Sequence, residues 1–131
     1  MNTATNLDSL LERLDNDQRE AVRCDVNCVV VAGAGSGKTT VLAYRFLRLI
    51  LDRKAHADEI LTLTFSRAAA AEMHERIHTM LLKHKDDPLV AQELERFPDA
   101  AISTIDSFCK RIVATDSVRY GYAPDAQLDD D

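Results

Sequence analysis

The order of segments predicts an α/β fold, a parallel sheet flanked by helices. Three observations carry that expectation. VVVAGAGSGKTT at residues 29–40 passes from an apolar run through a glycine loop into a stretch of helical periodicity. ILTLTF at 60–65 and AAISTI at 100–105 are short, apolar and rich in β-branched residues. Amphipathic stretches separate these segments.

Taken in order, Asn6 or Asp8 is placed to cap a short helix through LLERL, and Asn16 a second through DQREAVRC. The first strand is expected at 27–32, and the helix after the glycine loop extends to Asp52. RKAHADE connects it to the second strand at 60–65. Ser66 caps a long helix, RAAAAEMHERIHTMLLKH, whose apolar positions Ala70, Met73, Ile77, Met80 and Leu81 recur at helical spacing. Pro88 begins another helix, which Pro98 ends. AAISTI is the third strand, and Asp106 and Ser107 start the helix FCKRIVATDSV. The tail YGYAPDAQLDDD shows no clear element.

The 131 residues suffice for one domain at most. Hydrophobic content of 46% and charged content of 29% suit a globular protein. A net charge of −6 argues against a free-standing DNA binder that works by charge alone, though a local basic patch within a larger machine is compatible with it. No apolar run approaches a membrane span. The N-terminus has neither the basic start nor the long apolar core of a secretory leader. The expectation is a cytoplasmic protein without membrane association, whose three cysteines, Cys24, Cys28 and Cys109, stay reduced. Cys24 and Cys28 would make half of a metal site, and a second pair is lacking.

The glycine loop carries the clearest chemistry. A strand, a small-residue loop and a helix in that order build a phosphate cradle. Ala32 ends the strand, Gly33, Ala34, Gly35, Ser36 and Gly37 form the loop, and Lys38, Thr39 and Thr40 open the helix. The expected ligand is ATP with Mg²⁺. Lys38 would reach the β- and γ-phosphates, and Thr39 would hold the metal through its hydroxyl. The usual pattern, G-x-x-x-x-G-K-[ST], starts with glycine, and here Ala32 stands first. Alanine at a strand end is sterically acceptable where φ stays negative.

HERIH at 74–78 matches the zinc-protease pattern H-E-x-x-H, and His84 falls where a third ligand sits in the longer form. That form needs a glycine at the position of Leu81 to turn the chain back. On a continuing helix, His84 lies about 240° around from His78 and roughly 9 Å further along. The three histidines then cannot share a metal, and the segment reads as an exposed polar face.

The motifs together resemble the beginning of a superfamily 1 DNA helicase of the UvrD/Rep and RecB/AddA kind. LDNDQREAV resembles the Q motif, L-N-x-x-Q-x-x-A-V. AGAGSGKT matches that family's form of the phosphate loop, its leading alanine included. LTLTFSRAAAAEMHERI resembles motif Ia, and ISTIDSFCKRI resembles motif Ib. The four stand in family order between residues 14 and 113. The resemblance implies a P-loop NTPase domain of RecA-like form, ATP hydrolysis coupled to translocation on single-stranded DNA, and a role in repair or recombination. It leaves open whether nuclease or repair subunits are partners.

The resemblance also implies residue roles. Gln18 would hydrogen-bond the adenine edge, and Arg45 would stack on the adenine face. Phe65 would stack on a base of single-stranded DNA. Ser66, Arg67, Thr104 and Ser107 would line the same DNA path. Two departures stand out. Arg67–Ala68 replaces the Asn–Lys of UvrD-like members, with Ala68 closer to the RecB/AddA branch, and Asp106 replaces a histidine in motif Ib. An aspartate repels phosphate and suits a helix cap better. No Asp–Glu pair follows a hydrophobic strand, and no second RecA-like domain is recognisable. Residues 1–131 are therefore expected to be the N-terminal part of an ATP-binding domain, with a stand-alone nucleotide-binding module that does not hydrolyse ATP as the alternative.

Overall fold

A computed structural model of the chain describes residues 6–121. The extreme N-terminus, on which the expected absence of a leader rests, and most of the C-terminal tail lie outside the described residues.

Helix α1 (Leu7–Leu11) starts at Asn6, whose side chain accepts the Asp8 N–H at 3.0 Å. Helix α2 (Asn16–Arg23) is capped by Asp15, one residue before the expected Asn16. The Asp15 carboxylate accepts the Gln18 N–H at 2.8 Å, and Gln18 Oε1 accepts the Asp15 N–H at 3.1 Å. This reciprocal box satisfies two otherwise orphaned donors, which a cap at Asn16 would not do. Helix α3 (Lys38–Leu51) follows the glycine loop. A 3₁₀ turn at Ala57–Glu59 leads into strand β1 (Leu61–Thr64).

Helix α4 (Arg67–Lys83) begins at Ser66, whose hydroxyl accepts the Ala69 N–H at 3.1 Å. Helix α5 (Pro88–Arg96) is capped by Asp87 and passes into a 3₁₀ turn at Phe97–Asp99. Strand β2 (Ala101–Thr104) and helix α6 (Ile105–Asp116) come next, with a last 3₁₀ turn at Ser117–Tyr120. Thr104, not Asp106 or Ser107, caps α6. Asp106 lies in the first turn and pairs with Lys110 at 3.4 Å.

β1 and β2 are parallel, with Leu61 opposite Ala101 and Thr64 opposite Thr104. The helices α4 and α5 form the crossover between them, as a parallel pair requires. The segment 27–32 differs from the expected first strand. It forms no ladder, and Val29 and Val31 are 89% and 93% exposed. Apolar, β-branched residues favour extended backbone, but a strand exists only when a neighbour takes up its N–H and C=O groups. Among the described residues only β1 and β2 pair.

The core is helical. Phe46, Leu47 and Ile50 of α3 pack with Met73, Ile77 and Leu81 of α4, Val90 of α5, and Phe97. A second cluster joins Leu11, Leu14 and Val22 to Val41 of α3. Burying each large side chain contributes about 1.5–3 kcal/mol. Three of the five apolar positions expected on α4 are fully buried and the other two half-buried. His74 and His78 sit beside this core, their ring centroids 4.7 and 5.4 Å from that of Phe97. They cover an aromatic ring. Among the described residues no group of three or more potential ligands is arranged around a metal position.

Candidate nucleotide and nucleic-acid sites

The glycine loop is shaped by backbone that side chains resist. Gly35 and Gly37 have φ of +76° and +79°, in the left-handed region that costs other residues energy. At Gly37 a Cβ would also stand 3.1 Å from Gln18 Nε2. Gly37 occupies the N-cap of α3 and offers no side-chain cap. The first-turn N–H groups of a 14-residue helix therefore face the loop without a side-chain partner, where the helix dipole favours an anion.

Lys38 closes the loop. Its Nζ donates to the Ala32 carbonyl at 2.9 Å and to the Gly33 carbonyl at 2.8 Å. The ammonium is thus tied to the first carbonyls of the loop whose last residue, Gly37, is the N-cap of α3. Thr39 and Thr40 are half-buried in the first turn. Thr40 Oγ1 accepts a hydrogen bond from Arg76 Nη1 at 3.0 Å, and Arg76 also pairs with Glu72 at 2.9 Å. The only signal of Arg76 in the sequence is its place in the segment that resembles motif Ia. The donor set fits a Mg-nucleotide: a cation, an uncapped helix N-terminus and hydroxyls on the first turn.

Gln18 reaches the loop from α2. Its Nε2 donates to the Ser36 carbonyl at 3.0 Å while its Oε1 serves the Asp15 cap. Both ends of the amide are engaged, Nε2 on the loop and Oε1 on the cap of α2, so a contact with adenine would require an exchange of partners. Arg45 is half-buried and donates from Nη1 to the Ala21 carbonyl at 2.7 Å. It lines a cavity of about 640 Å³ together with Lys38, Val41 and Cys28. One turn further, Arg48 is 5% exposed. Its Nε donates to Asp52 at 2.8 Å and its Nη1 to the Val22 carbonyl at 3.2 Å, and Asp25 takes its other nitrogen. Burial works against the Arg48 charge, but Asp25 and Asp52 outweigh it and hold the guanidinium pKa above its usual value. This arginine ties the end of α2 to the last turns of α3, and no motif in the sequence marks it.

The DNA candidates gather at the carboxyl end of the sheet. Thr64 and Thr104 are partners in the parallel register, so the residues that follow them emerge side by side. Phe65 is 95% exposed there, which removes a core role for its ring in this structure. Arg67, at the start of α4, is also exposed. Ser66 and Thr104 are occupied differently: each hydroxyl caps a helix. Thr104 is buried, its Oγ1 donating to Ser107 Oγ at 2.8 Å and accepting the Ser107 N–H at 3.1 Å. The positions beyond the carboxyl ends of parallel strands are where ligands of open α/β sheets bind.

The sequence profile of the family described as the UvrD/REP helicase N-terminal domain matches residues 14–131. An ATP-dependent helicase/nuclease subunit of Desulforudis audaxviator is 43% identical over 115 residues, which is 82% of this chain and 9% of that protein. Its counterpart in Syntrophomonas wolfei is 39% identical over 102 residues, 74% of this chain and 8% of that protein. The ATP-dependent DNA helicase UvrD1 of Mycobacterium leprae is 41% identical over 108 residues, 82% of this chain and 12% of that protein. The chain thus spans only a small part of the length of these relatives. A profile match that takes in the Asp15–Gln18 box, the glycine loop and both strands leaves one assignment, and the chain belongs to the UvrD/REP helicase N-terminal domain family.

Proposed function

We propose that this chain is the nucleotide-binding part of an ATP-dependent DNA helicase that moves along single-stranded DNA and separates duplex, in repair or recombination. The observation that supports the reading is the glycine loop itself, where Lys38 Nζ is held by the Ala32 and Gly33 carbonyls and α3 starts without a side-chain cap. Phosphate oxygens are stronger partners for an ammonium than neutral carbonyls. Lys38 therefore exchanges the loop carbonyls for the β- and γ-phosphates, and the first-turn N–H groups of α3 take further phosphate oxygens. Thr39 would hold Mg²⁺ through its hydroxyl, and the metal would supply charge neutralisation at the phosphates. Gln18 holds the loop through Ser36. Arg45 lines the adjoining cavity and would meet the base there.

At the other site, Phe65 presents a ring to a base and Arg67 a charge to phosphate. Ser66 and Thr104 contribute by fixing the helix starts rather than by free hydroxyls. Stacking reads no sequence, which suits a motor that must follow any strand. α4 links the two sites. It begins beside Phe65 and delivers Arg76 to Thr40 of the phosphate loop.

The test is a titration of labelled nucleotide with Mg²⁺ against the wild type and Lys38→Ala. The wild type should bind and the variant should lose most of its affinity. Equal affinities would remove the phosphate-loop reading. Turnover is expected to be absent from residues 1–131 alone, because phosphoryl transfer depends on metal-holding and water-orienting groups beyond the loop.

A further inference from the structure

Three basic side chains stand on the helices that leave the carboxyl end of the sheet: Arg67 opens α4, and Lys110 and Arg111 lie on α6. They differ in what holds them. Lys110 Nζ is 3.4 Å from Asp106 Oδ2, so the two charges balance within one helix. Arg111 is exposed, and its guanidinium carbon lies 5.7 Å from the centroid of the half-buried Phe108 ring. That is within the range of cation–π attraction. Among the described residues no acid pairs with Arg111 and no oxygen accepts its side-chain N–H groups.

Register and helix geometry bring this pair toward the sheet end. Thr64 and Thr104 are register partners, so Ile105, the first residue of α6, emerges beside Phe65. α6 packs over β1 as well as β2. Phe108 is three residues into the helix, about 5 Å along its axis from Ile105. Helical side chains lean toward the helix N-terminus, and the contact with Phe108 carries the Arg111 guanidinium that way, back toward the sheet end.

We propose that Arg111, steadied by the Phe108 ring, binds a backbone phosphate of the single strand whose base lies on Phe65. The inference rests on the DNA reading of the sheet end given above. A guanidinium presents its N–H groups in a planar fork that matches two phosphate oxygens. A side chain already held by a ring loses less freedom on binding. Asp106 repels phosphate, but Lys110 answers its charge, which leaves Arg111 as the unbalanced charge in the first two turns of α6. A phosphate contact reads no base, and neither does stacking on Phe65. The two contacts differ in their response to salt: the ionic one releases counterions, and the stacked base does not.

The experiment measures the affinity of the whole chain for a fluorescein-labelled oligothymidylate by anisotropy across a salt series, with urea unfolding of every variant alongside. Arg111→Gln should reduce the slope of log affinity against log salt by about 0.7 and weaken binding by about fivefold at about 50 mM salt. Arg111→Lys should keep the slope. Phe108→Leu should also keep it while weakening binding by about two- to fivefold, because the cation stays but is no longer held. Phe65→Ala should weaken binding with the slope unchanged. Arg53→Gln, at an exposed arginine just after α3, should change neither quantity.

A slope unmoved by Arg111→Gln, or moved as much by Arg53→Gln, overturns the phosphate contact. A loss of stability in Arg111→Gln with DNA binding by the folded protein unchanged overturns it too. If the wild type binds no oligothymidylate at the lowest salt, the DNA reading fails and the inference with it. If the wild type binds and Phe65→Ala weakens it while Arg111→Gln does not, the DNA reading stands and the Arg111 contact alone is lost.

Discussion

Two regions of this molecule use the same kind of residue to opposite ends. In the cluster of α3, α4 and α5, Ile50, Ile77, Leu81 and Val90 are at most 2% exposed. Along residues 26–31 and on the sheet, Val29 and Val31 are almost fully exposed, and Leu61 and Leu63 are 46% and 38% exposed. Apolarity is equal in the two regions. The difference is the partner. Helices satisfy their own backbone and need only a neighbour for one face, and α3, α4 and α5 supply one another. A strand needs a ladder on its edge and a layer on its face. Stability in the described residues therefore sits in the helices, while the loop and the sheet end carry the candidate chemistry.

The contrast can be broken by truncation. Leu81→Ala, in the helical cluster, should cost about 2–5 kcal/mol in urea unfolding. A cost below about 1 kcal/mol would mean that the cluster does not hold the fold. At the sheet end, Phe65→Ala should leave the melting temperature nearly unchanged but lower single-stranded DNA affinity by about 1–3 kcal/mol if one base stacks there. Unchanged DNA affinity at low salt would sink the stacking role.

Thr104 lies between the regions, buried yet at the sheet end. Thr104→Ala removes the cap of α6 and should cost about 0.5–2 kcal/mol. Thr104→Ser, which keeps the hydroxyl, should recover most of it. Val31→Ala should change stability by no more than about 0.5 kcal/mol, because its side chain is already in water. A larger loss would show that residues 27–32 are buried in solution.

Acid provides a further probe. Asp25 accepts from Lys54 and Arg48, and these cations hold its carboxyl below the ordinary value of 3.8. A depressed folded-state pKa stabilises the fold above the unfolded value, and that contribution disappears as pH falls through the folded value. Unfolding midpoints should therefore drop as pH falls below the ordinary aspartate range, and Asp25→Asn should flatten that part of the profile. An unchanged acid limb would remove Asp25 from the network.

Much is legible in the chain because it depends on local chemistry. Ser66 and Asn6 cap helices because a short polar side chain can reach a free N–H a few residues on. Met73, Ile77 and Leu81 face the core because helical spacing places them together. Gly35 and Gly37 mark the loop because few other residues tolerate its backbone. The order of the four motifs is legible too, and the family assignment agrees with it. What the chain does not show depends on distance. Asp15 displaces Asn16 as a cap because Gln18 answers it, and Gln18 in turn holds Ser36 across 18 positions. Residues 27–32 read as a strand by composition, but pairing is a property of two segments, and no partner for them lies among the described residues. His74 and His78 have the spacing of metal ligands, yet both rings pack against Phe97 from a remote turn. Residue type and spacing determine which local structure is available, whereas contacts between remote segments decide which side chains are left free to act.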